Sequence, residues 1–435
     1  MRKTFTLLAA AVICGSVNAE TVKMLTFGQG APGIEEPGMM GEGLSADGKY
    51  ICGALQEGTG YFVGNLETDE FRYALSEDPE GAELRNIDSN GLAIGFNGPG
   101  VTYSIDGVET VLATPEGYKY VLGEDISNDG SVMVGSLVGT GYVTSAAFSK
   151  DGGEWTNLPM PSDEILGAYA KTKTSAAKYV SGDGKVILGF VGSFGPAVLW
   201  EMNEAGEYEV DPLYHRYLVN GDSTATGPKF ASLSPLNISN NGKYVLLQGN
   251  VMVDDDIFNS VTVAAVYDTE TSTMKIYDES QEIDQAGLGL RPVAIADDGT
   301  FIGVIGQPLM GSTGTFIMKA GETQAEAMIT AFPAYAEMFG MCDQFGFSVP
   351  MAISADGKVI MGYGFYCEDY FAEEAIPFYA TWVINVDGTT SINSVVSESA
   401  QEAIYSIEGY RLNEMKPGLN IVRKADGSVV KVMKR

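Results

Sequence analysis

One segment of this chain of 435 residues shows the motif on which its fold is built: Ile353-Ser354-Ala355-Asp356-Gly357-Lys358-Val359-Ile360-Met361-Gly362. The Ser side chain near its start is expected to accept a hydrogen bond from the backbone two residues further on, and glycine supplies the positive φ that ends a tight turn. The apolar run after the turn is typical of a strand that is buried on both faces. The stretch therefore predicts a hairpin turn that leads into a buried β-strand.

The same pattern occurs seven times, with an apolar residue, a Ser/Asp-x-Asp/Asn-Gly turn, in which Ala296 replaces Ser or Asp in the sixth copy, and an apolar run that usually ends in glycine. The turns lie at residues 44–48, 87–91, 126–130, 180–184, 238–242, 295–299 and 353–357, and their last glycines are 43, 39, 54, 58, 57 and 58 residues apart. The glycine at the end of each apolar run indicates a bend or a close approach of two backbones. Repeats of this size are the sequence signature of a repeat architecture.

Each repeat continues with a strand that carries a large apolar residue, a polar turn and a further strand, such as Trp155-Thr156-Asn157-Leu158 or Ala327-Met328-Ile329. The residues that lead into the next turn give a fourth strand. Antiparallel units of this length are typical of propeller blades, so we predict an all-β chain with a seven-bladed β-propeller over residues 20–393. We expect residues 21–27 to complete the last blade and close the ring. A linear β-solenoid is the alternative.

The motif Ile-Ser-x-Asp-Gly-x-Val-x-x-Gly, followed by Ala-x-x-Trp, resembles the extracellular HAF-type repeats of exported bacterial proteins and, more loosely, WD40-like propeller repeats. The resemblance covers roughly residues 41–393. It implies a propeller architecture, and the family has no agreed catalytic residues to transfer to this chain.

The N-terminus predicts a secretory signal peptide over residues 1–19. Arg2 and Lys3 form a basic start, residues 4–14 form a short apolar run, and Val17-Asn18-Ala19 fits the small-x-small cleavage pattern. We therefore place cleavage after Ala19, with lipidation of Cys14 as the alternative. The apolar run is shorter than the ~20 residues of a transmembrane helix, and no later stretch is long and apolar enough to be one.

Residues 394–435 form a linker and a small C-terminal β module of short strands. Residues 411–435 carry seven basic and two acidic side chains, against the acidic balance of the whole chain. With Pro417-Gly418-Leu419-Asn420-Ile421-Val422 and a lysine-rich end, this tail resembles the C-terminal sorting domain of Bacteroidetes type IX secretion cargo, although Asn420 stands where Tyr is commoner. The resemblance implies a partner in the secretion machinery and release or anchoring at the outer surface of a Gram-negative cell. The alternatives are a β module that packs on the propeller and a periplasmic location.

Composition excludes several functions. The formal net charge of −31 disfavours nucleic acid and anionic membranes as partners. His215 is the single histidine, so a metal site built from several histidines of one chain is impossible, and any histidine-dependent catalytic site must use that residue. We expect Cys52 to be a small core residue. Cys342 and Cys367 are the pair that we expect to form a disulfide if one is present.

Candidate binding residues lie in the irregular insertions between repeats. We predict that Phe332, Tyr335, Phe339 and Tyr366 contact a ligand, because exposed aromatic side chains stack on sugars or meet protein surfaces, although capping of the core is the alternative. Phe345 and Phe347 belong to the same insertion. The run Asp254-Asp255-Asp256 is a candidate calcium site, with a solvated loop as the alternative, and no other cofactor is expected.

The sequence favours a monomeric, exported propeller that binds protein or glycan without catalysis. The alternative is a glycan-active hydrolase or lyase that uses carboxylates on one face of the propeller. A tight cluster of facing carboxylates with a buried arginine or tyrosine in the central funnel would favour the enzyme. An aromatic or featureless face would favour a binding protein.

Overall fold

The structure is a computed structural model that describes residues 10–12, 20–26, 38–77, 81–192, 195–218, 228–253, 256–277, 290–306, 314–367 and 378–387, together with four strands between residues 403 and 434. The chain divides into two compact units, Met1–Gly388 and Thr389–Arg435. The first unit is a seven-bladed β-propeller, as the repeats predict.

The first three blades are antiparallel sheets whose four strands follow one another in chain order. Blade 1 consists of β3 to β6, at Met39–Leu44, Tyr50–Leu55, Gly60–Asn65 and Glu70–Leu75. Blade 2 consists of β7 to β10, at Ala82–Ile87, Leu92–Asn97, Gly100–Ser104 and Glu109–Val111. Blade 3 consists of β11 to β14, at Tyr120–Ile126, Val132–Val138, Thr144–Lys150 and Thr156–Asn157.

The next three blades repeat this arrangement. Blade 4 consists of β15 to β18, at Ser175–Val180, Val186–Val191, Ala197–Met202 and Tyr208–Asp211. Blade 5 consists of β19 to β22, at Ser232–Ile238, Tyr244–Val253, Asp256–Asp268 and Thr273–Tyr277. Blade 6 consists of β23 to β26, at Leu290–Ile295, Phe301–Ile305, Thr315–Met318 and Glu326–Ala327.

Blade 7 closes the ring with a strand from the other end of the propeller. Its first three strands are β27 to β29, at Ser348–Ile353, Val359–Tyr366 and Phe378–Asn385. The fourth is β2, Thr21–Leu25, which pairs antiparallel with β29 and sets Val22 opposite Ile384. A further short strand, β1 at Ala10–Val12, pairs with the outer edge of β2. The predicted closing strand is therefore confirmed for residues 21–25, and Phe27 lies outside the described residues.

The repeated turns join the first and second strands of each blade. Their glycines all have φ between 71° and 92°, as predicted: Gly48, Gly91, Gly130, Gly184, Gly242, Gly299 and Gly357. Asp88 accepts a hydrogen bond from the N–H of Asn90, two residues on, at 2.8 Å. Serine behaves differently from the expectation, because the buried hydroxyl of Ser45 donates to Asp47 at 2.7 Å and accepts from the N–H of Tyr50 at 2.9 Å. The serine thus ties the turn to the start of the next strand.

Apolar side chains on the strand faces join neighbouring blades. Trp200 of blade 4 is fully buried and packs in one cluster with Val132 and Val134 of blade 3. Trp382 of blade 7 lies in a cluster with Ile302 and other residues of blade 6. Full burial of one such aliphatic or aromatic side chain contributes about 1.5–3 kcal/mol. An apolar cluster of this kind joins each pair of neighbouring blades around the ring.

Short helices occupy the connections in the described part of the chain: α1 at Asp163–Leu166, α2 at Leu213–Tyr217, α3 at Met328–Ala331 and α4 at Pro333–Gln344. Single 3-10 turns lie at Gln56–Gly58, Thr140–Tyr142 and Gly167–Lys171. The sequence prediction of a strand at Ala327-Met328-Ile329 is wrong beyond Ala327, because α3 begins at Met328. None of the helices in the described ranges is long and apolar enough to cross a membrane.

The second unit contains four short antiparallel strands. They are β30 at Ala403–Tyr405, β31 at Arg411–Leu412, β32 at Gly418–Arg423 and β33 at Val429–Lys434, and they pair in the order β31-β30-β32-β33. A small β module is therefore present at the C-terminal end, as the sequence predicts.

Candidate functional site

A central channel is the candidate functional site. The first strand of every blade borders it, and the cavity has a volume of about 320 Å³. Ligand pockets in proteins usually have volumes of about 300–1,000 Å³, so this cavity is large enough for a small ligand or for one end of a longer one.

A β-bulge in the first strand of each blade aims one residue at this channel. In blade 1, for example, Gly41 pairs with Gly53 and Gly43 pairs with Cys52, so Glu42 has no partner on the neighbouring strand. Bulges redirect side chains in this way and are common beside functional sites. The seven residues that the pairing skips all line the cavity: Glu42, Arg85, Glu124, Lys178, Leu236, Val293 and Met351.

In six of the seven blades, a glycine on the second strand lies against the backbone of the first strand beside the bulge. A Cβ on Gly135 would lie 2.0 Å from the carbonyl oxygen of Leu122, and one on Gly53 would lie 2.0 Å from that of Met40. Gly95, Gly189, Gly303 and Gly362 meet a first-strand carbonyl oxygen at 2.0–2.2 Å in the same way. This confirms the close backbone approach that the sequence indicates. Blade 5 has Leu247 at the corresponding position, opposite Pro235.

The ring of bulge residues has two unlike halves. Blades 1 to 4 contribute ionisable side chains, acidic and basic in turn, from Glu42, Arg85, Glu124 and Lys178. Blades 5 to 7 contribute only apolar side chains, from Leu236, Val293 and Met351. A ligand in the channel therefore meets hydrogen-bonding groups on one side and an apolar wall on the other.

The charges of blades 2 to 4 form one chain of ion pairs. Glu124 is buried and contacts both Arg85 and Lys178, with 2.7 Å between its Oε2 and the Nζ of Lys178. Arg85 also donates to Glu83 at 2.7 Å and lies over the ring of Phe96. Burial alone would lower the pKa of Arg85, but Glu124 and Glu83 raise it. The guanidinium therefore stays charged.

Asp125 connects three blades through its carboxyl group. One oxygen accepts from the N–H of Ile126 at 2.7 Å and from the side-chain amide of Asn86 in blade 2, and the other accepts from the N–H of Val180 in blade 4 at 2.7 Å. Burial raises the pKa of Asp125 to about 7, although these donors oppose the shift. With both oxygens engaged, Asp125 holds blades together and has little capacity left for a ligand.

Glu42 has the carboxyl group that is left for a ligand. Its side chain makes no hydrogen bond or salt bridge to another described residue. Burial, and next the charge of Glu83, raise the pKa of Glu42 to about 8, while Arg85 acts in the opposite direction. Glu42 is therefore largely protonated at neutral pH, and its carboxylic acid can both donate and accept a hydrogen bond.

The repeated turns line one end of the channel and bind one another. Backbone N–H groups donate to the carbonyl of the next blade's turn, from Ser89 to Asn128, Asn128 to Gly182, Gly182 to Asn240, Asp297 to Ala355 and Ala355 to Ala46, at 2.7–3.0 Å. A Cβ on Gly182 would lie 2.1 Å from the Oδ1 of Asn240 and 2.3 Å from the Nδ2 of Asn128. Two amide side chains therefore converge at this end of the channel.

The predicted aromatic residues lie away from this channel. Phe332, Tyr335 and Phe339 are buried in the core beneath α4, where Tyr335 packs on Trp382 and shares a 2.6 Å hydrogen bond with Ser348. Tyr366 packs against Phe339. The first three residues are thus not exposed for stacking, because α4 turns their side chains inward. This is the core-capping alternative that the sequence left open.

The predicted calcium ligands fall largely outside the described residues. Asp254 and Asp255 lie outside the described residues, and Asp256 begins β21. Among the residues that are described, no group of three or more His, Cys, Asp or Glu could hold a metal ion.

Two further predictions concern cysteine and histidine. Cys342 and Cys367 are both buried and each keeps its thiol, so the expected disulfide is not formed in this structure. Cys52 is fully buried, as predicted. His215 lies in α2 beside Tyr214 and does not border the channel.

The channel residues have a sequence signal that lies just outside the repeated motif. Each bulge residue stands two positions before the apolar residue that opens the repeated turn, as Glu42 does before Leu44 and Arg85 before Ile87. Aligning the seven repeats on their turns places the four charges in one column. Sequence alternation alone does not show that a bulge turns this column toward the centre.

Comparisons with known proteins give only distant similarities. No protein-family model and no curated protein matches the chain. It is similar to TolB from Acinetobacter baumannii, with 12% identity over 74% of this chain and 79% of that chain and a TM-score of 0.40. It is also similar to an oligogalacturonate lyase from Vibrio parahaemolyticus, with 10% identity over 88% of this chain and 98% of that chain and a TM-score of 0.45. The β-propeller domain of Cps50 (Swd1) from Myceliophteria thermophila shares 10% identity over 78% of this chain and 94% of that chain, with a TM-score of 0.43. Similarities this low assign no function.

Proposed function

We propose that the protein is a non-enzymatic binding module that holds a protein or glycan ligand in its central channel. The observation that supports this proposal is the ring of bulge residues, which gives the channel a charged half and an apolar half. Sites for small ligands combine an apolar lining with a few fixed polar groups in the same way.

The state of the carboxyl groups favours binding over catalysis. Carboxylates do occur beside the half-buried Arg85 in the channel, which is close to the feature expected of an enzyme. Glu124 is neutralised by Arg85 and Lys178, however, and Asp125 is held by backbone N–H groups. A two-carboxylate hydrolase needs two groups that are both available to the substrate, and Glu42 is a single one.

The proposed location is outside the cytoplasm. The predicted signal peptide supports export, and the tail's resemblance to type IX cargo supports delivery to the cell surface by the secretion machinery. The acidic net charge of −31 agrees with a partner other than nucleic acid or an anionic membrane.

A substitution that fills the channel tests the binding role. Leu236→Trp adds a large ring to the apolar half, while Val108→Trp adds the same ring at an exposed position and is the control. The probes are cello-, xylo-, malto- and chito-oligosaccharides, oligogalacturonides, and tripeptides and tetrapeptides, each followed by isothermal titration. We expect at least one probe to bind the wild type and the control but to lose at least tenfold in affinity with Leu236→Trp. Equal affinity in all three proteins would overturn the proposal.

The second candidate function is a glycan-active hydrolase or lyase, and Glu42 is the observation that favours it. A carboxyl group whose pKa is raised to about 8 suits proton transfer near neutral pH. Mass spectrometry of the same oligosaccharides after incubation with the protein decides between the candidates. Products that form with the wild type and not with Glu42→Gln would establish the enzyme and overturn the non-enzymatic proposal.

A further inference from the structure

A row of aromatic side chains crosses blade 7 at the end of the channel away from the repeated turns. Phe347 directly precedes β27, Phe365 and Tyr363 lie on β28, and Tyr379 lies on β29. The ring centroids of Phe347 and Phe365 are 5.9 Å apart, those of Phe365 and Tyr379 are 4.0 Å apart, and those of Tyr379 and Tyr363 are 5.7 Å apart. The four rings therefore form one continuous cluster, in which the two outer pairs meet edge to face and Phe365 and Tyr379 lie at 30° to each other.

The row starts at the protein surface. Phe347 is 39% exposed and its neighbour Phe345 is 54% exposed, whereas Phe365, Tyr379 and Tyr363 are half-buried. Most other large apolar side chains of this insertion are in the core. Exposed aromatic side chains that are grouped in this way mark interaction sites more often than single exposed ones do.

The row ends beside the charged half of the channel. Burial is the main cause that raises the pKa of Tyr363 to about 12, and the carboxyl groups of Glu42 and Glu83 add to the shift. Tyr363 pairs with Thr381, whose hydroxyl accepts a hydrogen bond from the N–H of Gly41, the residue before Glu42. The rings therefore continue into the group of polar side chains at the channel.

We infer that this aromatic row is a subsite for a neutral oligosaccharide, which lies along the rings and places one end in the channel beside Glu42. Sugar rings have apolar C–H faces that pack on aromatic rings and hydroxyl groups that exchange hydrogen bonds with carboxyl and tyrosine hydroxyl groups. The inference rests on the proposed binding role of the channel and specifies its ligand.

The charges at the channel favour a neutral sugar chain over an acidic sugar chain as the ligand. Arg85 and Lys178, the cations of the charged half, are already paired with Glu83 and Glu124, so neither is left to pair with an anionic sugar. The net charge of −31 repels polyanions as well. An apolar peptide is the competing occupant, and it provides one outcome of the test.

Isothermal titration of the full chain with neutral cello-, xylo-, malto- and chito-oligosaccharides tests the subsite. Phe347→Ala removes an exposed ring, Phe347→Trp keeps a ring at the same place, and Tyr142→Ala removes an exposed ring from blade 3 as the matched control. We expect one sugar series to bind the wild type, a loss of about tenfold with Phe347→Ala, and affinities within about threefold of the wild type for Phe347→Trp and Tyr142→Ala. The Phe347→Trp protein also shows that position 347 tolerates substitution.

Other results separate this inference from the proposed function. If Leu236→Trp abolishes sugar binding and Phe347→Ala leaves it unchanged, the channel is the site and the subsite is overturned. If Phe347→Ala weakens binding and Leu236→Trp does not, the sugar stays on the row and the proposed channel function fails. If no neutral sugar binds, or tripeptides and tetrapeptides bind in place of the sugars, the inference is overturned.

Discussion

The side chain of Thr381 in blade 7 binds the backbone of Gly41 in blade 1, with 2.8 Å between the hydroxyl oxygen and the amide nitrogen. The same buried hydroxyl donates to the carbonyl of Met39 at 3.0 Å. These two hydrogen bonds cross the junction where the ring closes. Breaking them should therefore weaken the whole propeller.

Thr381→Val keeps the shape of the side chain and removes the hydroxyl. A buried N–H and a buried C=O then lose their partner, which costs about 1–3 kcal/mol for each group left unpaired. We expect a lower midpoint in urea unfolding than for the control Thr110→Val, whose side chain is exposed on β10. Equal midpoints for the two variants would show that the junction does not depend on this hydroxyl.

Removal of the closing strand tests the ring itself. A chain that begins at residue 29 lacks β2, which leaves the edge of β29 without a partner and removes the apolar contacts of Val22 and Leu25. Compared with a chain that begins at residue 20, it should unfold or melt at a much lower temperature in differential scanning calorimetry. Unchanged melting would contradict closure by this strand.

The glycines opposite the bulges should tolerate no side chain. Gly135→Ala would set a methyl group 2.0 Å from the carbonyl oxygen of Leu122, so the two strands must separate or the bulge at Glu124 must shift. We expect a loss of about 3 kcal/mol or more in the free energy of unfolding. Gly340→Ala in α4 is the control, since nothing lies within 4 Å of its added methyl group and alanine favours helices. A similar loss in both variants would show that alanine is harmful for another reason.

Glu42 should make stability depend on pH. Burial, with Glu83, raises the pKa of Glu42 in the folded protein from 4.5 to about 8. The folded state then holds a proton that the unfolded chain has already released, so this contribution to stability is present at low pH and is lost between about pH 5 and pH 8. The wild type should therefore lose unfolding free energy relative to Glu42→Gln as the pH rises through this range. Urea titrations that give parallel pH profiles for the two proteins would refute the raised pKa.

The sequence predicts the scaffold well because the chemistry of its turns is local. Gly357 and the equivalent glycines need a positive φ whatever surrounds them, and the apolar run after each turn fits only a buried strand. The structure of the insertion at residues 332–347 is harder to predict from the sequence. Pro333 begins α4, where proline is favoured, but the burial of Tyr335 and Phe339 depends on contacts with Trp382, which lies far away in the chain. Exposure of an aromatic residue in an insertion therefore cannot be inferred from its position in the sequence.

The candidate site was less predictable than the fold for a related reason. Glu42, Arg85, Glu124 and Lys178 are ordinary charged residues near the middle of a strand, where simple alternation does not assign them to a ligand. Seven equivalent bulges bring them together around one axis, and that arrangement arises only when the ring closes. The sequence shows that these residues are ionisable, but it does not show that they border the channel.

The most direct test of the channel as the ligand site is a crystal structure of the protein with the tightest-binding probe from the titrations. We predict density for the ligand within hydrogen-bond distance of Glu42 and in contact with Leu236, the apolar residue of blade 5 across the ring. Density confined to the outer strands of a blade, with the channel free of ligand, would contradict the proposed binding site.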